Sequence, residues 1–258
     1  MSGTMTTPGT NTGVLSPSHS IRAVQLRLLK ILESLDIVCK RHDIPYWLDS
    51  GTALGAVRNG GFIPWDDDVD VGIQIEDYPR LVRALQVSMH EFPDEARLVS
   101  RETDPHCRIG TPKIMDTGAQ GVHVRRKKMA HSFVDIFPFQ RYPYAKDKML
   151  KMSQWRSVLL KPLRLFSGRA YYKTYEAWMR TFSTPEGEYY GYATTRKIPT
   201  APYEYFFPLV TALFEGREFP VPGRVDDYLR CWFGPDYMTP RISRTHLAWL
   251  EDGANACA

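Results

Sequence analysis

Gly51-Thr52-Ala53-Leu54-Gly55-Ala56-Val57-Arg58-Asn59-Gly60-Gly61-Phe62-Ile63-Pro64-Trp65-Asp66-Asp67-Asp68-Val69-Asp70-Val71-Gly72-Ile73 is the stretch that decides the fold. A glycine turn opens a short apolar helix, Ala53 to Arg58. Asn59-Gly60-Gly61 stops it, because Asn and Gly tolerate positive φ. Four carboxylates then fall within five positions, followed by the β-branched run Val69, Val71 and Ile73. Acids crowded this closely repel one another unless a cation is present, and a buried strand with acids on one face is a platform for a divalent metal.

Strand parity sorts these acids. Residues two apart share a face, so Asp68 and Asp70 project together while Val69 and Val71 face the other way. Continuing the strand backwards would put Asp67 with the valines, at a desolvation cost. The regular strand is therefore expected to begin near Asp68, with Asp66 and Asp67 on an approach loop set by Pro64. Working outward, Ser132 to Phe139 reads as an apolar strand with one acid, Asp135, in its middle. Docked beside Val69 to Ile73, it would bring Asp135 next to Asp68 and Asp70. Three carboxylates from two strands can hold one or two Mg²⁺ ions, with Mn²⁺ as the substitute, because hard cations prefer carboxylates plus water and phosphate oxygens.

Ser50-Gly51-Thr52 supplies the complementary part. Glycine lets a phosphate approach the backbone, and the helix that follows offers free N–H groups and the positive end of its dipole. Metal on one side and helix N-terminus on the other form a clamp for phosphoryl transfer. Gly51 and Thr52 are thus candidate substrate-binding residues. Arg58 either pairs with the acids or meets a phosphate; Lys113, in Thr-Pro-Lys-Ile-Met-Asp, either contacts phosphate or lies on the surface. His106, His123 and His131 share no ligand spacing and rank below the acids as a general base.

The flanking chain frames this site. Ser18 or Ser20 caps a helix running to about His42, with Val24, Leu28, Ile31, Leu32, Leu35 and Val38 on one stripe and no chemistry of its own. Ile44 to Asp49 is a short strand, and Glu76-Asp77 start a helix with Tyr78, Leu81, Val82 and Leu85 on one face. Ala96 to Ser100, Cys107 to Gly110 and Lys113 to Met115 read as short strands. Gly118 to Ala130 reads as a polar loop whose basic run, Arg125 to Lys128, is a solvated face or an anion attractor. Lys146 to Phe166 and Arg169 to Phe182 read as two helices rich in aromatic residues. Trp155 to Lys173 suits either a helical cover over the sheet or a patch for a lipid-linked acceptor with peripheral membrane contact. Thr184 to Pro222 reads as loop, and Val225 to Phe233 as a last helix ended by Gly234-Pro235.

Composition fits this frame. The chain has 258 residues, 43% hydrophobic and 24% charged, which is ordinary globular usage. A net charge of +4 is too weak to imply nucleic acid but suits an anionic substrate. Cys39, Cys107, Cys231 and Cys257 lack metal-ligand spacing and fit a reduced, cytoplasmic protein. Met1 to Ser20 lacks the marks of a secretory signal and reads as a disordered leader over 1–19. The expected organisation is a single catalytic domain over 20–258, with 145–183 a helical subdomain.

Longer motifs carry a resemblance. Tyr46-Trp47-Leu48, Gly51-Thr52-x-Leu54-Gly55-Ala56-x-Arg58 and Gly61-Phe62-Ile63-Pro64-Trp65-Asp66-Asp67-Asp68-x-Asp70 resemble the LicD family. So do Val134-Asp135-Ile136-Phe137-Pro138, Phe214-Glu215-Gly216 and the closing Tyr228-Leu229 to Pro240. The resemblance implies an α/β (α+β) fold of nucleotidyltransferase type: a mixed sheet, flanking helices and a helical insertion in the C-terminal half. It implies Mg²⁺-dependent transfer of a phospho-alcohol, phosphocholine or an alditol phosphate, from a CDP-activated donor. The acceptor would be a glycan, a teichoic-acid-like polymer, a lipid-linked sugar or a small metabolite, in a cytoplasmic step of cell-envelope assembly. By position it makes Asp68, Asp70 and Asp135 metal ligands, with Asp66 a fourth. The alternatives are transfer of NMP from an NTP to a small molecule or sugar phosphate, and a non-catalytic scaffold.

Overall fold

The computed structural model describes residues 21–103, 111–123, 129–143, 183–193, 200–240 and 247–249, with 170, 174, 177, 180 and 181. Expectations for the leader, 107–110, His106, the basic run 125–128, the helix 146–166, most of 169–182 and the patch 155–173 lie outside these residues. The five described positions between 170 and 181 are helical.

Among the described residues, a mixed eight-stranded sheet organises the chain. Its spine is β1 (Tyr46–Leu48), β2 (Asp68–Gln74), β5 (Met129–Tyr142), β4 (Lys113–His123) and β10 (Leu247–Trp249), in that spatial order. β3 (Ala96–Val99) adds to β4, β6 (Tyr189–Tyr192) to the distal end of β5, and β7 (Thr200–Pro202) to β6. β2 and β5 run parallel and the other pairs are antiparallel.

The alternation of β2 gives the sheet two unlike faces. Val69, Val71 and Ile73 are buried, as are Ile114, Val134 and Ile136 on the neighbouring strands. Helix α1 (Ile21–Arg41) covers this apolar face with its stripe of Val24, Leu28, Ile31, Leu32, Leu35 and Val38, every one buried. Helix α3 (Tyr78–Ser88) packs beside it. Arg27 ties α1 to β4 through a bidentate pair with buried Asp116, both N···O distances 2.6 Å.

The other face is divided along its length. Asp68, Asp70 and Asp135 occupy one end. At the other, Gly72 sits opposite Trp47 in register, and a Cβ on Gly72 would lie 2.2 Å from the indole. That missing side chain lets Trp47 lie flat against the sheet, where it meets Phe139 edge-on at 5.0 Å and Phe206 at 5.6 Å. Tyr190, Tyr192, Tyr228 and Trp232 extend the aromatic cluster. The C-terminal segments, including helix α4 (Val225–Phe233), thus pack on the aromatic half.

Two expectations are corrected. The described residues of Gly118 to Ala130 are strand and not loop: β4 continues to His123 and β5 starts at Met129, with a register shift between Asp116 and Gln120. A polar sequence is compatible with an antiparallel hairpin solvated on one side. Thr184 to Pro222 is not loop either. It holds β6, β7, a 3₁₀ turn at Tyr203–Tyr205 and the ribbon β8 (Val210–Phe214) with β9 (Arg217–Val221). These strands are three to five residues long, too short for periodicity to register. Their prolines, Pro202 and Pro220, sit at a strand end and in a two-stranded ribbon, where a missing N–H is tolerated. The acid-side helix α2 also starts earlier than expected, spanning Ser50–Asn59, and ends on Gly60 at φ 66°.

Candidate active site

Parity holds where it matters for the site. β2 begins at Asp68, and its parallel register sets Asp70 directly opposite Asp135. Paired residues on adjacent strands share a face, so the sheet brings Asp68, Asp70 and Asp135 together as the sequence predicts. β4 then places Lys113 opposite Asp135 on the same face. Lys113 Nζ lies 2.5 Å from Asp135 Oδ1 and 3.4 Å from the centre of the Phe133 ring. Thr111 donates to the same carboxylate oxygen at 3.2 Å. Lys113 is therefore not a surface lysine: its side chain is 15% exposed and it neutralises one of the acids.

The approach loop is held on several sides. Gln25, 3% exposed on α1, donates its amide to the carbonyls of Ile63 at 3.1 Å and Asp66 at 2.9 Å. Glu215, in the β8–β9 turn at φ 53°, accepts the Phe62 N–H at 3.1 Å. Its carboxylate is gripped by the Arg22 guanidinium at 3.0 and 2.7 Å, and its own N–H donates to Gly60 O. Helix α1, read from sequence as packing only, thus anchors the acid loop through Arg22 and Gln25. The Phe214-Glu215-Gly216 motif acquires the same physical reason.

This anchoring compresses the acids. Carboxylate oxygens of Asp66, Asp67 and Asp68 lie within 4.8 Å of one another, and among the described residues they form the one such three-carboxylate group. Asp67, absent from the sequence-derived ligand set, is 2% exposed within it. Asp70 and Asp135 flank the trio. Burial, then the charges of Asp68 and Asp135, push the Asp70 carboxyl well above the usual carboxylate range. Burial also raises Asp135, against the opposing pull of Lys113. An all-carboxylate donor set in which the charges of Asp68 and Asp135 help raise the Asp70 carboxyl fits a hard divalent cation.

Helix α2 approaches from the same side. A Cβ on Gly51 would lie 3.0 Å from Asp66 Oδ2, so glycine is what allows the turn and the acid loop to come this close. Thr52 is buried, and its hydroxyl accepts the Asp70 N–H at 2.8 Å, bracing β2. In the first turn, Ser50 N–H goes to the Tyr228 hydroxyl and Ala53 N–H to Asp49 O. The N–H groups of Gly51 and Thr52 have no intrahelical acceptor at this position. Arg58, two turns along, donates to Tyr237 O at 3.2 Å and Asn59 Oδ1 at 3.1 Å. It shares a cavity of about 300 Å³ with Gly51, Leu54, Trp65, Asp66 and Tyr237. Burial lowers its pKa, with Asp66 opposing.

Sequence reading missed Asp49. It is fully buried, and its carboxylate accepts hydrogen bonds from Tyr228 OH at 2.5 Å and Tyr192 OH at 2.6 Å. The signal was an acid ending an apolar strand one residue before the glycine turn. Its partners, 143 and 179 residues away, could not be read from spacing.

On a mixed sheet, acids on a parallel strand pair thus face a glycine turn at a helix N-terminus. Residues 43–167 match the family model described as LicD/FKTN/FKRP, nucleotidyltransferase domain. The chain is 28% identical over 250 residues to the lipopolysaccharide cholinephosphotransferase LicD of Haemophilus influenzae, covering 85% of this chain and 91% of that protein. It is 59% identical over 114 residues to the human ribitol 5-phosphate transferase FKRP, covering 43% of this chain and 19% of that protein. Among solved structures, the lincomycin-bound lincosamide antibiotic adenylyltransferase LnuA aligns at 10% identity and a TM-score of 0.35, over 81% of this chain and 94% of that one. Residues 43–167 thus carry a match to the LicD/FKTN/FKRP nucleotidyltransferase domain, and the homology to LicD and FKRP indicates that the chain is a phosphotransferase.

Proposed function

We propose that the chain transfers a phospho-alcohol, phosphocholine or an alditol phosphate, from a CDP-activated donor to a hydroxyl of a glycan, with Mg²⁺ as the metal. The observation that carries this reading is the register that faces Asp70 with Asp135 beside the Asp66–Asp68 trio, directly below the N-terminus of α2. Asp66, Asp67, Asp68 and Asp70 would hold the ion, with Asp135 joining them on release from Lys113. Bound there, Mg²⁺ would neutralise phosphate oxygens and polarise the phosphorus toward attack.

The chain's own groups supply the rest. Gly51 and Thr52 N–H groups bind phosphate oxygens at the positive end of α2. The cavity running along α2 toward Arg58 holds an organic part of the donor. An acceptor hydroxyl attacks the phosphorus that bears the alcohol, its proton passes to a carboxylate of the cluster, and the bond to the CMP phosphate breaks. Phospho-alcohol ends on the acceptor oxygen and CMP leaves. Selection of the acceptor is assigned to residues after Ala145, with 145–183 as a helical subdomain of a single catalytic domain. No helix among the described residues is long and apolar enough to cross a membrane. The reading places the reaction in the cytoplasm, in the assembly of an envelope glycan.

A thermal-shift panel of CDP-choline, CDP-ribitol, CDP-glycerol, CTP and ATP, each with Mg²⁺, tests the donor class. Stabilisation by a CDP-alcohol above that by ATP is expected. Stabilisation by none of the five would overturn the reading, and a preference for CTP followed by pyrophosphate release would replace it with NMP transfer.

A further inference from the structure

Behind the acids, two hydroxyl relays converge on Asp49. Tyr228 on α4 accepts the Ser50 N–H at 2.9 Å and donates its own proton to Asp49 Oδ1. On the other side, Trp232 Nε1–H donates to Ser50 Oγ at 3.2 Å. Ser50 Oγ–H donates to Tyr192 OH at 2.7 Å, and Tyr192 donates to Asp49 Oδ2. Ser50 Oγ also lies 3.3 Å from Asp49 Oδ2, and the carboxylate is the terminus of both relays. The Asp49 N–H meanwhile donates to Asp70 O at 2.9 Å, tying the network to the acid strand.

Ser50 has φ 43°, in the left-handed region that L side chains rarely adopt. Such a conformation persists where its surroundings over-determine it. Here both the backbone N–H and the hydroxyl of Ser50 are held, by three aromatic side chains from β6 and α4. The left-handed kink turns the chain sharply from β1 into α2 and aims Gly51 at Asp66.

We propose that Asp49, Tyr192 and Tyr228 are positioning residues that lock the Ser50-Gly51 turn in its close approach to Asp66, where its N–H groups can meet a donor's phosphates. This rests on the reading of the turn as the phosphate site. It also gives the C-terminal half a catalytic consequence: β6 and α4 set the geometry of a turn that lies about 140 to 180 residues earlier in the chain.

Tyr192→Phe, Tyr228→Phe and Asp49→Asn test the lock, the phenylalanine variants keeping the ring packing should Asp49→Asn not fold. Affinity for Mg²⁺·pyrophosphate and Mg²⁺·CDP is measured by calorimetry, alongside kcat and the KM of each substrate. Each phenylalanine variant is expected to bind pyrophosphate about fivefold or more weakly and to lose about tenfold or more in kcat, as misplaced phosphates do. The acceptor KM should stay unchanged. Variants that melt lower yet bind pyrophosphate and turn over as the wild type would overturn the proposal, since a structural role alone predicts that outcome. A wild type that binds pyrophosphate but releases no CMP removes the CDP-alcohol reading and leaves the lock measured on pyrophosphate. A wild type that binds neither pyrophosphate nor CDP overturns the lock as well.

Discussion

Asp67 differs from its neighbours in being buried while lying in the tight carboxylate trio. If the trio holds the ion, Asp67→Asn should weaken Mg²⁺ affinity in calorimetric titration. The protein should melt at the same temperature or higher, because a repelling charge is gone. Unchanged affinity would move the ion toward Asp70 and Asp135. Lys113 makes the converse case. Its ion pair with Asp135 is largely removed from water, with side chains 15% and 12% exposed. Removing the lysine leaves a buried charge without its partner, a loss of about 3 kcal/mol by analogy with other buried pairs. Lys113→Met should therefore lower the urea midpoint substantially, and added Mg²⁺ should restore part of the loss. A midpoint within error of the wild type would show that the pair contributes nothing.

Among elements, β2 and the loop before it depend on close approaches that side chains elsewhere enforce. Gly72→Ala would push a methyl into the Trp47 ring, which packs among Phe139, Phe206 and Tyr190 with no free space. Overpacking of that kind costs about 1–3 kcal/mol. Chemical denaturation should show it, and a loss well below this range would mean that the ring can slide. The Arg22–Glu215 clamp adds a pH dependence. Hydrogen bonds from Arg22, with a smaller one from the Phe62 backbone, hold the Glu215 carboxyl below its ordinary 4.5. A carboxyl depressed in the folded state stabilises the fold above its unfolded pKa and ceases to do so as pH falls through the folded value. Melting temperature should thus fall more steeply for the wild type than for Glu215→Gln as pH is lowered below about 4.5. Parallel curves would show that the clamp does not contribute to stability.

At the scale of the whole molecule, what could be read in advance divides by range. Short-range patterns were legible: Asp-x-Asp parity located the start of β2, Asn-Gly-Gly ended α2, and an acid alone in an apolar strand identified Asp135 as a partner of Asp70. Contacts across long separations were not. Nothing local marks Gln25 as the ligand of Ile63 and Asp66 carbonyls, or Tyr192 and Tyr228 as the partners of Asp49. The short tyrosine- and proline-rich strands after Thr184 escaped because three to five residues carry no measurable period. β6 among them supplies Tyr190 and Tyr192 to the aromatic half of the sheet.

The central claim is that the acidic end of the sheet moves a phospho-alcohol rather than a nucleotide. Phosphorus-31 NMR of the purified protein with CDP-choline, CDP-ribitol or CDP-glycerol, Mg²⁺ and a glycan acceptor reads that claim directly. The account predicts CMP and a new phosphodiester signal from one of the donors, both abolished by EDTA and by Asp68→Ala or Asp70→Ala with circular dichroism unchanged. Pyrophosphate in place of CMP, or full turnover in either alanine variant, would contradict it.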